Sequence, residues 1–79
     1  TSERRVALLK TAKAKYEEAR VSFRRVRDET VRDIDAKERA GTIGEDEKFR
    51  LKKELEKIAD TAGKVLDDTL ARKEKEINS

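Results

Sequence analysis

From Leu9 to Ile34 the chain places an apolar or small residue at steps of three and four, alternating as far as Thr30: Leu9, Ala12, Tyr16, Ala19, Phe23, Val26, Thr30 and Ile34. A helix of 3.6 residues per turn stacks such a series into one stripe, as a bundle helix requires. No proline interrupts it, because the chain contains none. Leu8 widens the stripe, while Val21 and Val31 lie off it. Thr1, Ser2 and Glu3 supply a start signal: a hydroxyl that can accept from an orphan amide, then an acid where the helix dipole favours negative charge. Gly41 supplies the stop, since glycine enters the left-handed region without a Cβ penalty. The pattern predicts a helix over 2–40, about 60 Å long at 1.5 Å per residue.

Gly44 permits a second bend, which bounds a turn over 41–44. Glu45, Asp46 and Glu47 then crowd the first turn of a second helix over 45–77, at the positive end of its dipole. Three adjacent acids could also be read as a metal or acid/base cluster. No histidine joins them, so the helix start is the preferred reading. Leu51, Leu55, Ile58, Ala59, Ala62, Val65, Leu66, Thr69, Leu70 and Ile77 form a stripe broader than one neighbour can cover. Gly63 within it is unfavourable by about 1 kcal/mol relative to alanine, and either marks close packing or is tolerated. Arg72, Lys73 and Lys75 suit the negative end of the dipole, with Asn78 available to close the helix. A short connection makes the two helices an antiparallel hairpin.

Composition narrows the class to all-α. Ala, Glu, Lys, Leu and Arg fill 47 of the 79 positions, the signature of long helices or a coiled coil. Charged residues are 49% of the chain, but the signs nearly cancel to +3 and the apolar period is helical, which favours folding over disorder. The core is the weak point, because nine of the hydrophobic residues are alanine and only three are aromatic. Chains of this size seldom stand on one core without disulfides, metal or association. With neither cysteine nor histidine present, disulfides, zinc sites and the usual Cys or His nucleophiles are excluded. Association is the remaining route. No run of apolar residues approaches a membrane span, and nothing resembles a signal peptide.

Charge is divided unevenly: residues 1–40 hold 12 basic and 8 acidic side chains, residues 45–79 hold 9 and 10. Between Arg20 and Arg27 stand four arginines and no acid. Arg20, Arg24 and Arg27 fall within a sector of roughly 60°, beside Tyr16, Ala19, Phe23 and Val26. Arg20 can reach Glu17, Arg24 can reach Asp28, and Arg25 can reach Glu29, whereas Arg27 has no acid at three or four residues' distance. Two readings stay open for Arg27. It binds an external anion, or it pairs with the facing helix, where a short connection brings Asp60 near. A flank of arginines suits polyphosphate, since the planar guanidinium grips phosphate through two hydrogen bonds and counterion release adds to affinity.

Four segments, in order, resemble the C-terminal part of the ribosome recycling factor family over nearly all 79 residues. TSERR is similar to a T-x-E-R-R helix start, and EEARVSFRRVRDE to an E-x-A-R-x-x-x-R-x-x-R-x-D segment. GTIGEDEK is similar to a K-x-I-S-E-D-E turn, and LEKIADTAGKVLDDTLARKEKEI to a final helix with K-I-x-D and L-x-x-K-E-x-E-I elements. The resemblance implies a translation factor without catalytic chemistry or cofactor, acting in the bacterial cytoplasm or an organelle. With elongation factor G it would split ribosomes after termination. It further implies a three-helix bundle with a β-rich domain inserted after the first helix, of which residues 1–79 match only the second and third helices.

In the family, arginines of the second helix dock on large-subunit ribosomal RNA. Carried over by position, these are Arg5, Arg20, Arg24 and Arg27. The chain departs from the family at Arg25, where asparagine is common, and at Asp28, where a second arginine is common. One positive charge is thereby moved around the helix. Two helices without a third leave a groove open, so the expectation is a homodimer completing a four-helix bundle. The alternative function is a structural antiparallel coiled coil that binds another helix and no RNA.

Overall fold

The computed structural model describes residues 1–79 and contains two helices, α1 (Ser2–Arg39) and α2 (Glu45–Asn78), packed as a hairpin with no strand. The molecule measures 60 × 16 × 9 Å. Thr1 caps α1, its Oγ1 accepting from the Arg4 amide at 3.2 Å. The helix ends one residue before the expected position. Ala40 keeps right-handed backbone, and Gly41 turns left-handed at φ 78°. The Thr42 amide then donates to the Lys37 carbonyl at 2.9 Å, and the Gly41 amide to the Glu38 carbonyl at 3.1 Å. These are the paired bonds of a Schellman closure, which satisfies carbonyls that a helix end otherwise orphans.

Gly44 begins α2 with ordinary extended backbone, φ −87° and ψ 174°, so the second bend does not require glycine's freedom. It also offers no side chain to cap the helix. At the other end α2 runs through Asn78, and the hydroxyl of Ser79 donates to the Glu76 carbonyl at 2.9 Å. Ser79, rather than Asn78, closes the helix.

The interface between the helices is thin. Ile34 is the one buried residue, at 7% exposure, and no side chain is fully buried. Leu9, Ala12, Tyr16, Ala19, Phe23 and Thr30 of the α1 stripe are half-buried, but Val26 is 58% exposed and Val31, off the stripe, is half-buried in its place. A seam with a 3.5-residue period drifts about 20° per heptad around a 3.6-residue helix, which carries Val26 off the contact. The broad α2 stripe splits. Leu51, Leu55, Ala59, Leu66 and Leu70 are half-buried, whereas Ile58 and Val65 face solvent at 59% and 57%. Thr30 and Thr69 fit their stripes because each hydroxyl donates back to a carbonyl four residues earlier. A Cβ on Gly63 would meet nothing within 4 Å, so this glycine does not mark close packing within the hairpin.

At the turn end the helices are tied by charge. Lys48 Nζ lies 3.1 Å from Glu38 and 3.7 Å from Asp35, and Lys52 Nζ lies 2.7 Å from Asp35. Asp35 Oδ1 is shut off from solvent, so these two ammonium groups supply its compensation. At the open end a groove of about 850 Å³ runs between the helices, with Leu8, Ala12, Leu66 and Leu70 in its walls and Lys15 and Arg72 at its edges.

Candidate nucleic-acid interface

An α-helix sets Arg20, Arg24 and Arg27 on one flank over about 10 Å of its length, whatever α2 does. All three side chains are exposed. Their circumstances differ. Arg20 Nη1 pairs with Glu17 Oε1 at 3.2 Å, and its guanidinium lies 5.6 Å from the centre of the Tyr16 ring. The Tyr16 hydroxyl in turn donates to Asp67 Oδ1 on α2. The Asp67 carboxylate, by accepting this hydrogen bond, raises the Tyr16 pKa and keeps the hydroxyl a donor. Asp67 thus fixes the tyrosine, and the tyrosine and Glu17 together orient Arg20.

Arg24 and Arg27 make no ion pair within 4 Å, and the contacts of Arg24 with Asp28 and of Arg25 with Glu29 do not form. Asp60 of the facing helix does not reach Arg27 either, although it is the acid a short connection would bring nearest. Arg5 is exposed in the first turn of α1, about 22 Å along the axis from Arg20. The fold therefore brings together Arg20, Arg24 and Arg27, with Arg5 as an outlying cation. None of the clustered three lines the open groove.

Sequence periodicity places Tyr16 in the apolar seam and misses its polar end. Tyrosine's amphipathic side chain, four residues before an arginine, is the signal that could have found it. Asp67 carries no comparable local signal, because its partner sits 51 residues earlier.

A model of the ribosome recycling factor family matches residues 1–77. Among curated relatives, the ribosome-recycling factor of Fervidobacterium nodosum is 40% identical over 77 residues, which cover 98% of this chain and 42% of that protein. The corresponding protein of Rubrobacter xylanophilus is 42% identical over 77 residues, covering 98% and 41% of the two chains. That of Synechocystis is 38% identical over 79 residues, covering 100% and 43%. The chain spans less than half the length of these relatives. No solved structure matches it.

Proposed function

The chain belongs to the ribosome recycling factor family, and from that premise we propose that its α1 arginines dock on large-subunit ribosomal RNA. The observation that carries this reading is the free pair Arg24 and Arg27, exposed beside an Arg20 that Tyr16 and Glu17 hold in place. Unpaired guanidinium groups on one flank offer charge-assisted, two-pronged hydrogen bonds to phosphate oxygens. Arg5 adds a contact further along the backbone. Partnership with elongation factor G, the splitting of ribosomes after termination and action in the cytoplasm belong to the same proposal. So does the inference that the first bundle helix and the β-rich domain lie outside residues 1–79. No helix here is long and apolar enough to cross a membrane.

The test is binding of the 79-residue chain to purified large ribosomal subunits across a salt series, with Arg27→Ala, Arg24→Ala and a control Lys64→Ala on α2. Binding should weaken steeply with salt, and each arginine variant should bind roughly tenfold more weakly with the salt slope reduced by about one. The control should match the parent chain. Absence of binding at low salt overturns the reading. Exposed Val26, Ile58 and Val65 favour a second reading, a helix-binding coiled coil, for which the partner would be protein and salt would hardly matter.

A further inference from the structure

We propose that Asp67 of α2 is a positioning residue for phosphate binding by α1: it holds Arg20 through Tyr16, so that full affinity for RNA requires α2 seated against α1. This rests on the reading of the arginine flank as an RNA-docking surface. It adds to that surface a residue that itself touches no RNA.

The three arginines of the flank differ in how they are held. Arg24 and Arg27 make no ion pair and keep the freedom of long solvated side chains. Arg20 Nη1 donates to Glu17 Oε1 at 3.2 Å, and the guanidinium lies 5.6 Å from the centre of the Tyr16 ring. Its other N–H groups bond nothing within the chain, so Arg20 is held and still has donors to offer. An exposed ion pair one turn apart on a helix is weak by itself. The ring is the second support, and the ring is anchored. Tyr16 is half-buried, and its hydroxyl donates across the hairpin to Asp67 Oδ1. Asp67 bonds no other side chain.

The charge of Asp67 acts in the opposite direction. A carboxylate near a basic flank lowers its potential and weakens its attraction for phosphate. Ordering offsets this: immobilising a long side chain on binding costs roughly two- to tenfold in affinity, a loss that a side chain already held avoids. Truncating Asp67 therefore separates the two roles by sign. Loss of its charge alone strengthens RNA binding, whereas loss of its hold on Tyr16 weakens it.

The experiment measures binding of the 79-residue chain to purified large ribosomal subunits for Asp67→Ala, Asp67→Asn and Tyr16→Phe, each also made with Arg20→Ala. Asp67→Ala and Tyr16→Phe should each bind roughly three- to fivefold more weakly than the parent. Asp67→Asn keeps an oxygen that accepts from the hydroxyl and loses the negative charge, so it should bind at least as well as the parent. With Arg20→Ala present, Asp67→Ala and Tyr16→Phe should cause no further weakening. Independently of ribosomes, NMR relaxation of the arginine Nε–H groups should show Arg20 more ordered than Arg24 and Arg27, and Asp67→Ala should remove the difference. Far-UV circular dichroism verifies that the variants are helical. Unchanged or tighter binding by Asp67→Ala overturns the proposal, as does an Arg20 as mobile as its neighbours in the parent chain. A weakening of the same size without Arg20 also overturns it, since the damage would then lie in the hairpin. Failure of the parent chain to bind at low salt instead overturns the RNA reading, and this role with it.

Discussion

The two ends of this hairpin are closed by different means. At the turn end, Gly41 reverses the chain, Ile34 is buried, and Lys48 and Lys52 tie α2 to Asp35 and Glu38. At the open end the one cross-helix hydrogen bond of side chains joins Tyr16 to Asp67, and beyond it the helices flank a groove. The contrast shows where two helices suffice and where they do not. Beside the turn, covalent proximity makes each further contact inexpensive in chain entropy. About 50 Å away that advantage is gone, and apolar side chains of both helices wait for a neighbour.

The largest effect should come from the buried residue. Ile34→Ala should lower unfolding stability by about 2 kcal/mol in urea denaturation, while Leu8→Ala at the open end should cost less than about 0.5 kcal/mol in the monomer. Equal losses would erase the distinction between the ends. A Leu8→Ala cost that grows with protein concentration would instead show the groove covered by association.

Gly41→Ala comes next. A Cβ there would meet no other atom, but φ 78° is strained for any residue with a side chain. The loss should be about 1 kcal/mol in thermal unfolding, with helix content retained. Loss of all helicity would show the turn to be needed for folding.

The ionic tie should appear as a pH dependence of stability whose acid limb comes from the turn end, while the alkaline limb is shared with Tyr16, whose pKa Asp67 raises. Lys52, and then Lys48, hold the Asp35 pKa below its ordinary value of 3.8. A carboxylate with a lowered folded pKa stabilises the fold above the ordinary value and loses that contribution as pH falls through the folded one. Glu38, and then Asp35, raise the Lys48 pKa above 10.5, so its contribution is present below that value and lost as pH rises through the higher one. Stability should therefore fall in acid below about pH 4 and in alkali above about pH 10.5. Asp35→Asn should flatten the acid limb, and an unchanged acid limb would remove Asp35 from the account.

Smallest, and opposite in sign, is Gly63→Ala. With open space around the new methyl group, the substitution should stabilise the chain by about 0.5 to 1 kcal/mol through helix propensity alone. Destabilisation would mean that another chain packs against that side of α2.

The sequence by itself determined what depends on helical period and local chemistry. The steps of three and four, the lack of proline, the hydroxyl at Thr1 and the glycine at position 41 mark two helices to within a residue at the ends compared. The same period set Arg20, Arg24 and Arg27 on one flank, because the angle between them is a property of one helix. What lies across the gap was not legible. Only the tertiary structure decided that Val31 and not Val26 turns inward, and that Ile58 and Val65 are left outside. It also decided that Asp60 misses Arg27, while Asp67 catches Tyr16 and Lys52 reaches Asp35. Each of these contacts depends on how far α2 is rotated about its own axis and how it crosses α1. That relation is set by the packing of many side chains together, and no short stretch of sequence encodes it.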